Sequence, residues 1–294
     1  MKRIIIYIIS AISLIACEDD VDVKDLGIEP KMVLYCYLSP MFDTTSVFLS
    51  NSQPIFSSET NDLAVIKNAT VELSNNGKTW IKCKYDNIKE RYILTKTDFP
   101  ILEGKTYYIR AKAPGFKETI SSSCTVPFYR NIELKIENKE SNENVIETNI
   151  SWKDYAGESN YYSFSVYEIY ETFDYMSDEM FKDLYTYYIY DSETGSYIFS
   201  DEEKDGYDLS VKTSFDNEKS SDTILLSINQ TTKDYYLYEN SLNNYYLSES
   251  FFGMVEPTLL YNNIKNGYGL FTAFVFKTFQ YDIKNNKIEA YIIP

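Results

Sequence analysis

The sequence predicts a mostly β protein, and three observations lead there. Tyr is abundant, with 29 among 294 residues, and Phe adds 17, whereas Gly and Pro number only 10 and 8. Tyr, Phe, Ile, Val and Thr suit half-buried pleated surfaces. Apolar and polar residues alternate in short runs, most cleanly at Ala69–Ser74 and Val145–Trp152. Turn signals such as Asn75-Asn76-Gly77, Glu103-Gly104 and Pro114-Gly115 separate those runs.

The chain opens with Lys2-Arg3, a short apolar run over 4–15, and then Leu14-Ile15-Ala16-Cys17. The run falls short of the roughly 20 apolar residues that span a bilayer. Its pattern is that of a cleaved secretory leader over residues 1–16. An aliphatic residue three before the cysteine and a small one just before it form a bacterial lipobox. The Cys17 thiol would carry diacylglycerol and its freed amine a third chain, palmitate for example. Each buried methylene adds about 0.8 kcal/mol, so several chains anchor a domain firmly. Glu18-Asp19-Asp20 then begins an acidic tether that ends at Pro30. It resembles the export signal that carries Bacteroidota lipoproteins to the cell surface.

Residues 31–127 are expected to form the first domain. Lys31–Leu38 is apolar on both faces, as a covered strand is. Thr45–Ser50 and Ala69–Ser74 follow. Asn75-Asn76-Gly77 predicts a tight hairpin turn into a strand over Thr79–Tyr85 with Ile81, Cys83 and Tyr85 on one face. Arg91–Thr95, Thr106–Ala111 and a strand ending at Thr125 complete seven or so short strands. That density predicts an immunoglobulin-like or transthyretin-like sandwich. Pro127 is the expected boundary, and residues 128–294 form a larger β-rich domain with a short helical part. Its strands are read at Ile132–Ile136, Val145–Trp152, Tyr161–Tyr170, Asp222–Ile228, Gly269–Phe276 and Lys287–Ile293. Residues 171–200 read as a Tyr-rich insertion with some short helix. Thr232 is placed to cap a helix with Tyr235, Tyr238, Leu242 and Tyr245 on one side.

Composition excludes several functions. The formal charge is −16, and loss of Lys2 and Arg3 with the leader makes the body more acidic still. Such a body repels nucleic acid and anionic lipid alike. The chain has no histidine, so His-based triads, His-ligated zinc and haem-His ligation are excluded. No nucleotide-binding loop or Ser-x-x-Lys motif is present, and no cofactor is expected. Cys36, Cys83 and Cys124 remain beyond the lipid site. An oxidising exterior permits one disulfide among them, and buried free thiols fit strand positions equally well.

Several landmarks together resemble the domain-of-unknown-function 4249 family of Bacteroidota lipoproteins. They are the lipobox, Leu38-Ser39-Pro40, Asn68-Ala69-Thr70-Val71, Gly104–Tyr107, Ala113-Pro114-Gly115, and Val126-Pro127. Further on come Tyr236, Ser241-Leu242, Glu256-Pro257, Asn263-Ile264 and Gly267–Phe271. They cover nearly the whole mature chain in the family's order. The resemblance implies an all-β surface lipoprotein, typically encoded beside a TonB-dependent outer-membrane receptor. It assigns no catalytic residue.

Three constellations merit a functional reading beside a structural one. Asp201, Glu203 and Asp205 precede Gly206 as in a calcium loop, but position twelve is Lys212 where an EF-hand places Glu. A solvated acidic turn is the plainer reading. Tyr187, Tyr188 and Tyr190 could present an aromatic platform to a ligand or receptor, or simply fill a Tyr-rich sheet. Asn263, Gly267 and Gly269 could form a binding loop, or a turn that the last core strand requires. The expected function is a non-enzymatic accessory subunit of TonB-dependent uptake, in the outer membrane and facing outward. The alternative is a structural or adhesive surface protein with no transporter. For a carboxylate-based hydrolase, no spacing selects a pair of acids.

Overall fold

The computed structural model describes residues 29–52, 64–142, 145–174, 179–216, 223–250 and 259–291. The leader, Cys17 and Glu18-Asp19-Asp20 lie outside them. In chain order the strands are β1 (Met32–Leu38), β2 (Thr44–Asn51), β3 (Thr70–Ser74), β4 (Ile81–Lys82), β5 (Lys84–Asp86) and β6 (Arg91–Thr95). Then come β7 (Thr106–Lys112), β8 (Ile120–Thr125), β9 (Leu134–Asn142), β10 (Val145–Lys153), β11 (Tyr161–Asp174) and β12 (Glu179–Tyr188). The last are β13 (Ile198–Ser200), β14 (Asp208–Asp216), β15 (Thr223–Thr231), helix α1 (Lys233–Ser250), β16 (Tyr268–Asp282) and β17 (Lys287–Tyr291). The protein is mostly β, as the composition predicts.

A ten-stranded sheet organises the molecule, with the order β12-β11-β15-β16-β1-β2-β6-β5, β13 beside β11 and β17 beside β16. Two smaller sheets, β14-β10-β9 and β4-β3-β7-β8, complete the architecture. The pleat sorts side chains between layers. Leu34, Cys36, Leu38, Val47 and Leu49 of the large sheet pack with Val71, Leu73, Ile109 and Ile120 of the four-stranded sheet. Phe164, Val166, Leu226 and Ile228 pack with Ile150, Trp152, Leu209 and Val211 of the three-stranded one. On the opposite face of the large sheet, Tyr35 and Leu270 meet Tyr235, Tyr238 and Leu242 of α1.

The two cores divide along the chain near Pro127, apart from Ile264 and the strand β16. β16 is 15 residues long and serves both: Phe271, Ala273 and Val275 belong to the first core, Phe279 and Tyr281 to the second. It pairs antiparallel with β15 and parallel with β1, in the register Val33↔Tyr268 to Leu38↔Ala273. The first sandwich is therefore completed by a strand from the far end of the chain.

Buried tyrosines do two jobs at once, burying a ring and pinning backbone with the hydroxyl. Tyr92 Oη accepts from Ala69 N–H at 2.8 Å and donates to Ile66 C=O at 2.7 Å. Tyr107 Oη accepts from Leu102 N–H at 2.7 Å and donates to Pro100 C=O at 3.0 Å.

Three local expectations are corrected, and one open alternative is decided. The strand expected over 79–85 is split at Cys83: β4 pairs with β3 in the small sheet, and β5 pairs with β6 in the large one. The chain crosses between layers there, so continuous alternation could not persist. The preceding turn is longer than a tight hairpin, since β3 ends at Ser74 and β4 begins at Ile81. Asn76 Oδ1 holds it by accepting from Lys78 and Thr79 N–H, both at 2.8 Å. No helix occurs among the described residues of 171–200, because β11 and β12 form an unbroken ladder from Ser165↔Tyr188 to Asp174↔Glu179. Cys36, Cys83 and Cys124 are free buried thiols of the first core. Burial raises the pKa of all three, Cys83 to about 12, which leaves them unreactive.

Gly269 has φ +112, and a Cβ there would collide with the Leu34 carbonyl across the parallel pair. Gly115 has φ +86 but open space around it. Gly115→Ala therefore isolates backbone strain and should cost about 1–2 kcal/mol. Gly269→Ala adds a backbone clash and should cost at least about 3 kcal/mol or prevent folding. Urea unfolding of the two variants compares them directly; equal losses would show that the close approach to β1 is unimportant.

Candidate functional site

The large sheet's helix side carries a cleft of about 530 Å³. Alternation builds its floor. In β11, Tyr162, Phe164 and Val166 point into the second core, which turns Ser163 and Ser165 to the other face. In β15, Leu226 and Ile228 do the same and leave Asn229 and Thr231 on the cleft side. Asn229 Nδ2 donates to Ser163 Oγ at 3.2 Å and Ser165 Oγ at 3.0 Å, so the polar groups of the floor bind one another.

Aromatic rings form the walls. Tyr37 of β1 meets Tyr235 of α1 edge-on at 6.2 Å, and Phe42 meets Phe274 of β16 at 5.5 Å. Tyr188, at the end of β12, stacks on Tyr197 at 5.1 Å. Its hydroxyl lies 3.4 Å from that of Tyr235.

α1 supplies the charge. Thr232 caps it as the sequence predicts, Oγ1 accepting from Tyr235 N–H at 3.2 Å. The same hydroxyl lies 2.6 Å from Thr272 Oγ1, which fixes the helix start to β16. Tyr235 and Glu239, four residues apart, share the face turned to the sheet. Glu239 is 7% exposed. Its carboxylate accepts a short hydrogen bond from the Tyr197 hydroxyl. Burial raises its pKa above the ordinary 4.5, opposed by the neighbouring hydroxyls of Tyr197 and Tyr235. The hydroxyls of Tyr37, Tyr188, Tyr197 and Tyr235 are themselves raised by burial and remain protonated around it.

The sequence-predicted residues divide sharply. Tyr188 lines the cleft, and Tyr190 abuts its wall through Tyr197 at 5.1 Å. Tyr187 borders the cleft too, but its ring packs on the second core and its hydroxyl donates to buried Glu168 at 2.9 Å. Asn263 is a staple: its amide donates to Asp234 at 3.0 Å and Phe271 C=O at 2.8 Å and accepts from Phe271 N–H at 2.9 Å. Gly267 and Gly269 admit β1, for a Cβ on either would meet the backbone of Met32 or Leu34. None of these three lines the cleft.

A family model described as Domain of unknown function (DUF4249) matches residues 18–280. The chain belongs to the DUF4249 family. No curated protein matches it. The matched span contains every residue that lines the cleft in this DUF4249 chain.

The acidic turn is exposed at Glu202, Glu203, Lys204 and Asp205, and only Asp201 of it turns inward. Asp201 is buried and Glu203 stands apart from it, while Asp154 of the following-β10 segment joins Asp201 and Asp205 with carboxylate oxygens within 4.8 Å of one another. Three carboxylates so placed could hold a cation. Each is also committed to the fold. Asp154 accepts from Tyr162 at 2.6 Å and Gly206 N–H at 2.8 Å, Asp201 from Asn160 N–H at 3.0 Å, and Asp205 from Gly157 N–H at 2.7 Å.

Sequence reasoning missed Glu239, Asn229 and the two serines. The available signals were an acid four residues after Tyr235 on an otherwise apolar helix face, and serines interrupting the apolar run of β11.

The raised pKa of Glu239 has a pH signature. Below pH 4.5 the group is protonated in both folded and unfolded chains. As pH rises, the unfolded chain loses the proton first, so the wild type loses stability until the folded pKa is passed. Glu239→Gln keeps an acceptor for Tyr197 and removes this penalty. Urea unfolding at pH 4 and pH 7 should show the variant gaining on the wild type at the higher pH; a pH-independent difference would contradict the assignment.

Proposed function

We propose that this protein is a lipid-anchored binding subunit of the outer membrane, facing the exterior and working beside a TonB-dependent receptor. It captures a small nutrient by binding energy alone and presents it for uptake. The observation that carries this reading is the tyrosine-walled cleft on the helix side of the sheet. Its volume falls within the roughly 300–1,000 Å³ typical of small-molecule sites, and its mostly apolar lining with a few polar groups is their usual chemistry. The leader and Leu14-Ile15-Ala16-Cys17 support the anchor. Glu18-Asp19-Asp20 supports display on the surface, and membership of DUF4249 supports the pairing with a receptor. The lack of histidine removes the commonest general base and favours binding over chemistry.

Purification through a C-terminal tag in mild detergent should recover an outer-membrane barrel with the wild type. Cys17→Ser should lose incorporation of a palmitate analogue and pass to the soluble fraction. Recovery without any barrel would overturn the receptor pairing, and unchanged membrane retention of the variant would overturn the anchor.

A further inference from the structure

The cleft encloses an acid that has no cationic partner among the described residues. Glu239 is almost fully buried, a state carboxylates rarely accept without a cationic partner. Among the described residues Glu239 forms no ion pair, and neither Lys nor Arg lines the cleft. Its hydrogen-bond donor, Tyr197, is neutral.

The surroundings narrow what can supply the missing charge. A carboxylate or phosphate ligand would face Glu239 and the overall negative body. A hard metal ion needs several oxygen ligands, whereas Glu239 is the one acid among the described residues that line this cleft, beside aromatic rings. A neutral sugar could stack on those rings but would leave the carboxylate uncompensated, and the floor amide of Asn229 already serves Ser163 and Ser165. An organic ammonium satisfies both features. Its charge meets Glu239, and its alkyl groups meet ring faces whose quadrupoles attract cations.

We propose that the cleft between α1 and the large sheet binds a small alkylated ammonium ion, its charge against Glu239 and its alkyl groups against Tyr37, Tyr188 and Tyr235. This rests on the reading of the cleft as the ligand site of a binding subunit and names the ligand class. The hydroxyl of Tyr197 holds the carboxylate in place for the incoming cation.

Calorimetric titration of the full mature protein in nonionic detergent tests this, with choline, tetramethylammonium, the neutral choline isostere 3,3-dimethylbutan-1-ol, and glucose as probes. The expected result is saturable binding of the two cations, with the neutral isostere at least roughly tenfold weaker. Glu239→Gln should weaken choline by about tenfold or more. Tyr188→Leu, which keeps the charge and removes one ring, should weaken it by roughly threefold or more and guards against a poorly folded Glu239 variant. Equal binding of choline and its neutral isostere, binding of glucose alone, or no saturation by either cation would overturn the inference. Receptor recovery from the same preparations separates the two claims. A barrel recovered without cation binding overturns the ligand class alone, and loss of the barrel overturns the receptor pairing.

Discussion

The parallel contact between β1 and β16 is the constraint on which the rest of the structure depends. It joins the first strand of the described chain to the last long one, through six paired positions from Val33↔Tyr268 to Leu38↔Ala273. Parallel pairing needs a crossover rather than a hairpin, and here the crossover is most of the protein. The contact is possible because Gly267 and Gly269 present no Cβ to the Met32 and Leu34 backbone. Asn263, anchored on Phe271 and Asp234, sets the path of the chain into β16.

From that contact the cleft follows. β1 brings Tyr37, β11 and β15 bring the polar floor, and β16 brings Phe274. α1 lies across the same face, its start held by Thr232 against Thr272 and by Asp234 against Asn263. Both halves of the chain contribute walls to one site. Separating β1 from β16 would leave the first core without Phe271, Ala273 and Val275, and the cleft without Tyr37.

Local patterns in the sequence were legible where a segment serves one sheet and one core. The alternation of Val145–Trp152 became β10, with Ile146, Ile150 and Trp152 buried. Thr232 became the helix cap because capping needs only the neighbouring residues. Patterns failed where the chain serves two layers. Cys83 is a core residue with strands of different sheets on either side, so period-two alternation reads through a break that it cannot report. Residues 171–200 offered mixed periodicity because their pairing is decided by β11 rather than by their own propensity. The role of β16 is non-local by nature, since no residue near Tyr268 encodes its pairing with Val33.

The site was legible only in part, for the same reason. A dense run of tyrosines pointed toward Tyr188 and Tyr190, but the pleat sends Tyr187 to the second core. The glycines of 267–269 carried a strong signal whose meaning was structural. Glu239 is ordinary in sequence and becomes unusual only once Tyr197 and the sheet enclose it. Residue-resolved hydrogen exchange across the full chain tests the central claim most directly. The account predicts that amides of β1 and of Tyr268–Ala273 are protected to the same degree and open together with the second core. Exchange of β1 and the first core orders of magnitude faster than β16 would show that the halves are independent, and would contradict it.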